Sequence, residues 1–226
     1  MERHFDEELK DLKQRLLRMA DVAQEMIGLA VRCLVEREPA RAEDVFRLEE
    51  TVNRSEVEIE DSVLKLLALR QPIARDLRLL TAILKINNDL ERVADQACNI
   101  SETALYLLKE PPLKPLIDIP HMAGLAQKMI KNSLEAFVNQ DAALAKEVCL
   151  DDDAVDRIND QVFRELLTYM MQDPKAVQRA VDLILISRNL ERIADHATNI
   201  SEDVIFIVQG KNVKHHLDEE TGPPAH

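Results

Sequence analysis

Tryptophan is absent from this chain, and two tyrosines and five phenylalanines are its whole aromatic complement. A surface that stacks nucleic-acid bases needs aromatic platforms, which are missing here. The formal charge of −13 excludes the same partner on a second ground, because an acidic chain is repelled by a phosphate backbone. Glycine is equally scarce, with four residues in 226. No Gly-rich phosphate-cradling loop and no nucleophile–base arrangement is visible, so no enzyme is expected. The three cysteines, Cys33, Cys98 and Cys149, form no CxxC pair and are odd in number. They fit structural thiols in a reducing compartment. No apolar run approaches the roughly 18–20 residues of a membrane span. The N-terminal MERHFDEELKDLK is charged throughout, so no signal peptide is expected. The expectation is a cytoplasmic protein that meets a membrane only through a partner.

What the chain does have is aliphatic and charged: 46% apolar residues and 31% charged ones. Leu, Ala, Glu, Arg, Ile and Val dominate, which favours helices with a core of aliphatic side chains. The prolines divide the chain. Pro39, Pro72, Pro174 and the cluster Pro111, Pro112, Pro115 and Pro120 separate long stretches of helical periodicity. Leu9, Leu12, Leu16, Ala20, Ala23, Ile27, Ala30 and Leu34 recur at steps of three and four over residues 6–36. Val45, Leu48, Val52, Ile59, Val63 and Leu66 do so over 41–69. A third helix is expected from Pro72 to about 108, then others over 121–139, 141–171 and 174–208. Asp141 suits an N-cap and Gly210 a C-terminal stop. The expected fold is therefore all-α: two tandem antiparallel three-helix bundles, residues 1–109 and 121–210. A stiff Pro-rich linker over 110–120 joins them, and a polar tail over 211–226, carrying His215 and His216, is expected to be disordered.

The halves repeat in their residues as well. LERVADQACNISE at 90–102 and LERIADHATNISE at 190–202 differ only at V/I, Q/H and C/T, an offset of 100 residues. A weaker echo at an offset of 103 matches Glu49, Val52, Asn53 and Arg54 to Asp152, Val155, Asp156 and Arg157. The repeat places Glu91 with Asp95, and Glu191 with Asp195, four apart on one helix face, where like charges cost about 0.2–0.5 kcal/mol per pair. On a helical wheel Ile83, Leu90, Ala94, Ala97, Ser101 and Ala104 form the apolar face of the third helix. Lys85, Arg92, Gln96 and Thr103 form the solvent face, and Glu91, Asp95 and Glu102 lie between the two. The sixth helix gives the same arrangement for Glu191, Asp195 and Glu202, with His196 on the solvent face. Oxygen ligands without thiolate or clustered imidazole suit hard cations such as Mg, Ca, Mn or Fe, with Zn a further option. The competing reading is salt bridging of the same acids by Arg92, Arg188 and Arg192. Cys98, close to the carboxylates, reads as a buried structural thiol.

The two LER(V/I)AD…NISE segments, RQPIARDLRLL at 70–80 and ELLTYMM at 165–171 together resemble the PhoU family of phosphate-uptake regulators over nearly the whole chain. The resemblance implies two similar three-helix bundles and metal ions held by E/D-x-x-x-D motifs, iron first, with zinc, manganese or magnesium as alternatives. The ligands it implies are Glu91, Asp95, Glu191 and Asp195, joined by Asp152 and Asp156 and by Glu49 and Asn53. Asn53 departs from the motif's aspartate, which leaves the first site weaker. The implied role is negative control of the phosphate-starvation response and of uptake. Such an adaptor links a phosphate ABC transporter's ATPase subunit to a sensor histidine kinase, commonly as a homodimer. A metal-free adaptor with the acidic faces as docking surfaces is the alternative.

Overall fold

The computed structural model describes residues 2–70 and 72–210, so the expected tail with His215 and His216 lies outside the described residues. Six long helices follow in order: α1 (Glu2–Glu36), α2 (Ala40–Arg70), α3 (Ala74–Leu107), α4 (Asp118–Asn139), α5 (Ala142–Gln172) and α6 (Val177–Gln209). One 3₁₀ turn, Pro174–Ala176, leads into α6. The ends obey local chemistry. Asp141 caps α5 by accepting from the backbone N–H groups of Ala143 and Leu144 at 2.9 and 3.0 Å. Gly210, at φ 69°, closes α6 in the left-handed conformation that glycine adopts without strain. The helix expected from residue 121 starts at Asp118, because Pro120 falls in its first turn, where no intrahelical N–H is needed.

Helices α1, α2 and α3 pack on one another, and so do α4, α5 and α6. The two bundles are not beads on a string. Helix α3 also packs along α6, and α1 against α4, so that buried side chains from all six helices form one apolar core. The connection between bundles is pinned at several points. Arg37, itself at φ 58°, donates to the carbonyls of Leu108 and Glu110 at 2.7 and 2.8 Å. Arg179 donates to the carbonyl of Pro111 at 3.0 Å, and Lys114 pairs with Asp118 and Glu165.

The α3–α6 seam corrects the wheel-based assignment of Gln96 and His196 to a solvent face, while Lys85 is exposed as assigned and reaches across the seam with its tip. Gln96 is buried. Nδ1 of His196 lies 2.8 Å from Oδ1 of Asp89 on α3, and Lys85 Nζ lies 2.9 Å from Oδ1 of Asp203 on α6. At the equivalent places on the other side of the repeat stand Asn189 and Gln96, and Leu185 and Thr103. The carboxylate of Asp203 is only 3% exposed, whereas Lys85 is 45% exposed. Removing a partner from a buried ion pair leaves a desolvated charge behind. With the lysine half in water, Lys85→Leu is expected to cost about 1–2 kcal/mol in chemical denaturation. Adding Asp203→Thr, which copies the other side of the repeat, should recover most of that loss; a double variant as unstable as the sum of both singles contradicts this.

Candidate metal centre

In the second bundle, α5 and α6 run antiparallel with their register set by Ser187 Oγ, which donates to Oδ1 of Asn159 at 2.8 Å. Counting outward from that pair puts Asp156 level with Leu190, next to Glu191, and Asp152 level with Ala194, next to Asp195. The electrostatics agree. Burial is the first cause that pushes the Asp152 carboxyl up to about 7, followed by the charges of Asp195, Asp156, Asp153 and Glu191. Asp195 is raised by burial and then by Asp156, against the lowering effect of His196 and Arg192. Glu191 is raised by burial, Asp195 and Asp156, opposed by Arg188 and Arg192. Asp156 is raised by burial, Asp153 and Asp160. The four acids thus form one crowded anionic patch across two helices. Within it, Oδ1 of Asp152 is buried and has no hydrogen-bond partner.

The first bundle is a looser copy. Glu91 is raised by burial and then by Asp95, with Glu56 and Glu49 adding smaller effects and Arg92 opposing. Arg92 spans the motif, 3.4 Å from Glu91 and 3.1 Å from Asp95. Asn53 is exposed and contributes no charge. The acid that the sequence reading missed is Glu56, one turn further along α2. Its counterpart at the offset of 103 is Asn159, so the acid–amide order is exchanged between the repeats: Glu49, Asn53, Glu56 against Asp152, Asp156, Asn159. Reading the repeat one turn further would have found it.

Each patch also holds a thiol. Cys98 is raised by burial and by Glu49, its hydrogen-bonding neighbour, and Cys149 is pushed up to about 12 by burial, Glu202 and Asp152. Both are the protonated, structural kind that the sequence leads one to expect of all three cysteines.

The donor set, carboxylate oxygens with one buried oxygen unpartnered, fits a hard cation. The side chains do not stand in a finished coordination sphere. Among the described residues no three His, Cys, Asp or Glu side chains close on a common point. The backbone register brings the acids together, and closure on an ion would be a matter of side-chain rotation.

With this geometry in hand, comparison with known proteins is specific. The family model described as the PhoU domain matches residues 16–104 and again 119–204. A phosphate-specific transport system accessory protein PhoU homolog from Aquifex aeolicus is 41% identical over 215 residues, covering 95% of this chain and 97% of the relative. The Pseudomonas aeruginosa homolog of the same description is 38% identical, covering 93% and 88%. The crystal structure of PhoU from Pseudomonas aeruginosa superposes with a TM-score of 0.89 at 38% identity, covering 92% of this chain and all of that one. The phosphate transport system regulatory protein PhoU from Streptococcus pneumoniae superposes at 0.85 with 26% identity, covering 92% and 99%.

Proposed function

The chain belongs to the PhoU family, carrying its domain twice, and on that footing we propose that it is a non-catalytic accessory regulator of a phosphate transport system. In this reading it holds the phosphate-starvation response off when phosphate is plentiful. It works as a cytoplasmic adaptor, commonly dimeric, between the transporter's ATPase subunit and a sensor histidine kinase. No helix among the described residues is long and apolar enough to cross a membrane, so contact with the transporter falls to its surfaces.

The observation that supports a metal as part of this role is the buried, unpartnered Oδ1 of Asp152 inside a crowd of like charges. Asp152, Asp156, Glu191 and Asp195 would hold the stronger site, and Glu49, Glu91 and Asp95 the weaker, with Asn53 as a neutral donor. A bound cation, iron first and zinc, manganese or magnesium otherwise, would supply the positive charge that relieves the repulsion. What the chain itself does is hold the acids half-desolvated on two rigid helices, so that a cation gains more there than in water. In the first repeat Arg92 already bridges Glu91 and Asp95, which favours a metal-free, charge-balanced surface at that end.

Two measurements test the parts separately. In Pseudomonas aeruginosa lacking its own PhoU, this chain should return a phosphate-starvation reporter to its low level in replete medium. A reporter that stays high with the protein well expressed contradicts the regulatory role. Metal content by mass spectrometry should be near-integral for the wild type and collapse in Asp95→Ala plus Asp195→Ala. A wild type that stays metal-free after incubation with Fe, Mn, Zn and Mg removes the metal.

A further inference from the structure

The acids of the second bundle are one end of a longer face. Counting from the Asn159–Ser187 pair away from them, Phe163 falls level with Leu183, Leu167 with Arg179 and Met171 with Lys175, so that Leu185, Val181 and Val177 each lie within a turn of the α5 residue beside them. Phe163, Leu167 and Met171 recur at steps of four on α5, as Val177, Val181 and Leu185 do on α6. All six are exposed: Met171 by 86%, the other five by 37–47%. This is not overflow from the core, because the inward faces of the same helix segments are filled by the buried Val162, Leu166, Ala180 and Leu183. Nor is it inherited from the repeat. At the matching places the first bundle has Glu60, Leu64 and Ala68 on α2, and Leu77, Thr81 and Lys85 on α3. Six large apolar residues therefore stand where the sister bundle has two. A contiguous exposed apolar strip of this kind marks an interaction surface.

The charge at the far end decides what can cover it. Two copies of this chain meeting face to face would share a twofold axis lying in the interface plane. An axis along the strip sets the four acids of one copy against those of the other. An axis across the middle of the whole face buries them against the apolar side chains of the partner copy, and an axis across the apolar half leaves them outside the contact. None of the three gives the carboxylates a counter-charge. A different chain has no such constraint. From Asp152 to Met171 the face runs about 28 Å at 1.5 Å per residue, the length of a helix of some five turns.

We propose that the outer α5–α6 face docks an amphipathic helix of a partner protein, apolar along the Phe163–Leu185 strip and basic at the end that meets Asp152, Asp156, Glu191 and Asp195. This is the groove mode in which apolar anchors at helical spacing give affinity and terminal charge gives direction. It also means that a cation and the partner's basic end share the same carboxylates, so that each weakens the other. The inference deepens the adaptor reading and rests on it only for the existence of a partner. It is tested without transporter or kinase, so a failed reporter assay and a failed docking assay are separate results.

The probe is a fluorescein-labelled, synthetic 20-residue helix with leucines every three to four residues over three turns and three lysines in the remaining two. A second version carries glutamates in place of the lysines. Anisotropy with the full chain in chelator should show the lysine version binding at least tenfold more tightly than the glutamate version. Leu167→Glu with Val181→Glu should weaken it at least tenfold, Leu64→Glu in the first bundle should change it less than twofold, and millimolar Mn should weaken it severalfold. Circular dichroism checks folding, and the milder Leu167→Gln repeats the test if the charged variant melts early. Equal affinity for the two peptides, no binding of either, or equal losses from the two bundles overturns the proposal. So does a dimer in sedimentation that Leu167→Glu with Val181→Glu makes monomeric, since a second copy then covers the strip.

Discussion

Held in chelator at pH 8, Asp152→Asn is expected to melt several degrees above the wild type. The carboxyl of Asp152 sits at about 7 in the folded chain against an ordinary 3.8, so the folded state binds the extra proton between those values. Where the folded state binds more protons, stability falls as pH rises. The penalty is therefore nil near pH 4, grows as pH rises through 7, and is fully present at pH 8. The whole shift would correspond to about 4 kcal/mol. Water and salt reach this half-exposed patch, and the realised cost is about 1–2 kcal/mol. Asparagine keeps the shape without the charge, so its advantage should vanish at pH 4. Divalent cation should reverse the order. At about 100 times its Kd a ligand adds about 2.7 kcal/mol to the wild type, roughly 5–10 °C for a chain of this size, and Asp152→Asn should gain less than a third of that. An equal metal response in both proteins would show that Asp152 is not a ligand. An Asn variant no more stable than wild type in chelator would show that the anionic crowding is already relieved.

Leu90→Ala and Leu190→Ala should each cost about 2–5 kcal/mol, because both leucines are fully buried and truncation leaves a cavity. At roughly 2–4 °C per kcal/mol, Tm should fall by about 5–15 °C. The form of the transition is as informative as its position. The core is continuous through α3, α6, α1 and α4, so each truncation should lower one cooperative transition for the whole molecule. Calorimetry showing two transitions, with Leu90→Ala moving one and Leu190→Ala the other, would mean that the bundles fold as independent units.

The six helices were legible because prolines and apolar periodicity are local signals, and each helix has one face that must be buried. Asp141 and Gly210 were legible for the same reason. Pro120 misled by three residues because a proline breaks a helix interior but suits a first turn. The larger miss was the seam. A wheel drawn for α3 or α6 shows where its own bundle lies, and everything opposite reads as solvent. Gln96 and His196 are opposite, and what faces them is the other bundle, which no periodicity within one helix can report. The carboxylate patch was half legible. The i, i+4 spacing gave Glu91, Asp95, Glu191 and Asp195, and the repeat gave their neighbours on α2 and α5. Glu56 escaped because its role depends on α2 and α3 lying side by side. The apolar strip of α5–α6 was invisible for another reason: within one helix an exposed leucine looks the same as a core one, and only the packed bundle shows which side is left over.

The seam between α3 and α6 also bears on how such a chain can change over time. Two identical subunits, each contributing one repeat, must place the same side chain at both ends of their common axis, so any substitution is made twice. Joining the repeats in one polypeptide removes that coupling. Here one side carries Lys85 with Asp203 and Asp89 with His196, while the other holds Leu185, Thr103, Asn189 and Gln96. Fusion thus lets one half acquire a new surface while its twin continues to serve as scaffold, and the four exchanged positions are the visible trace of that freedom.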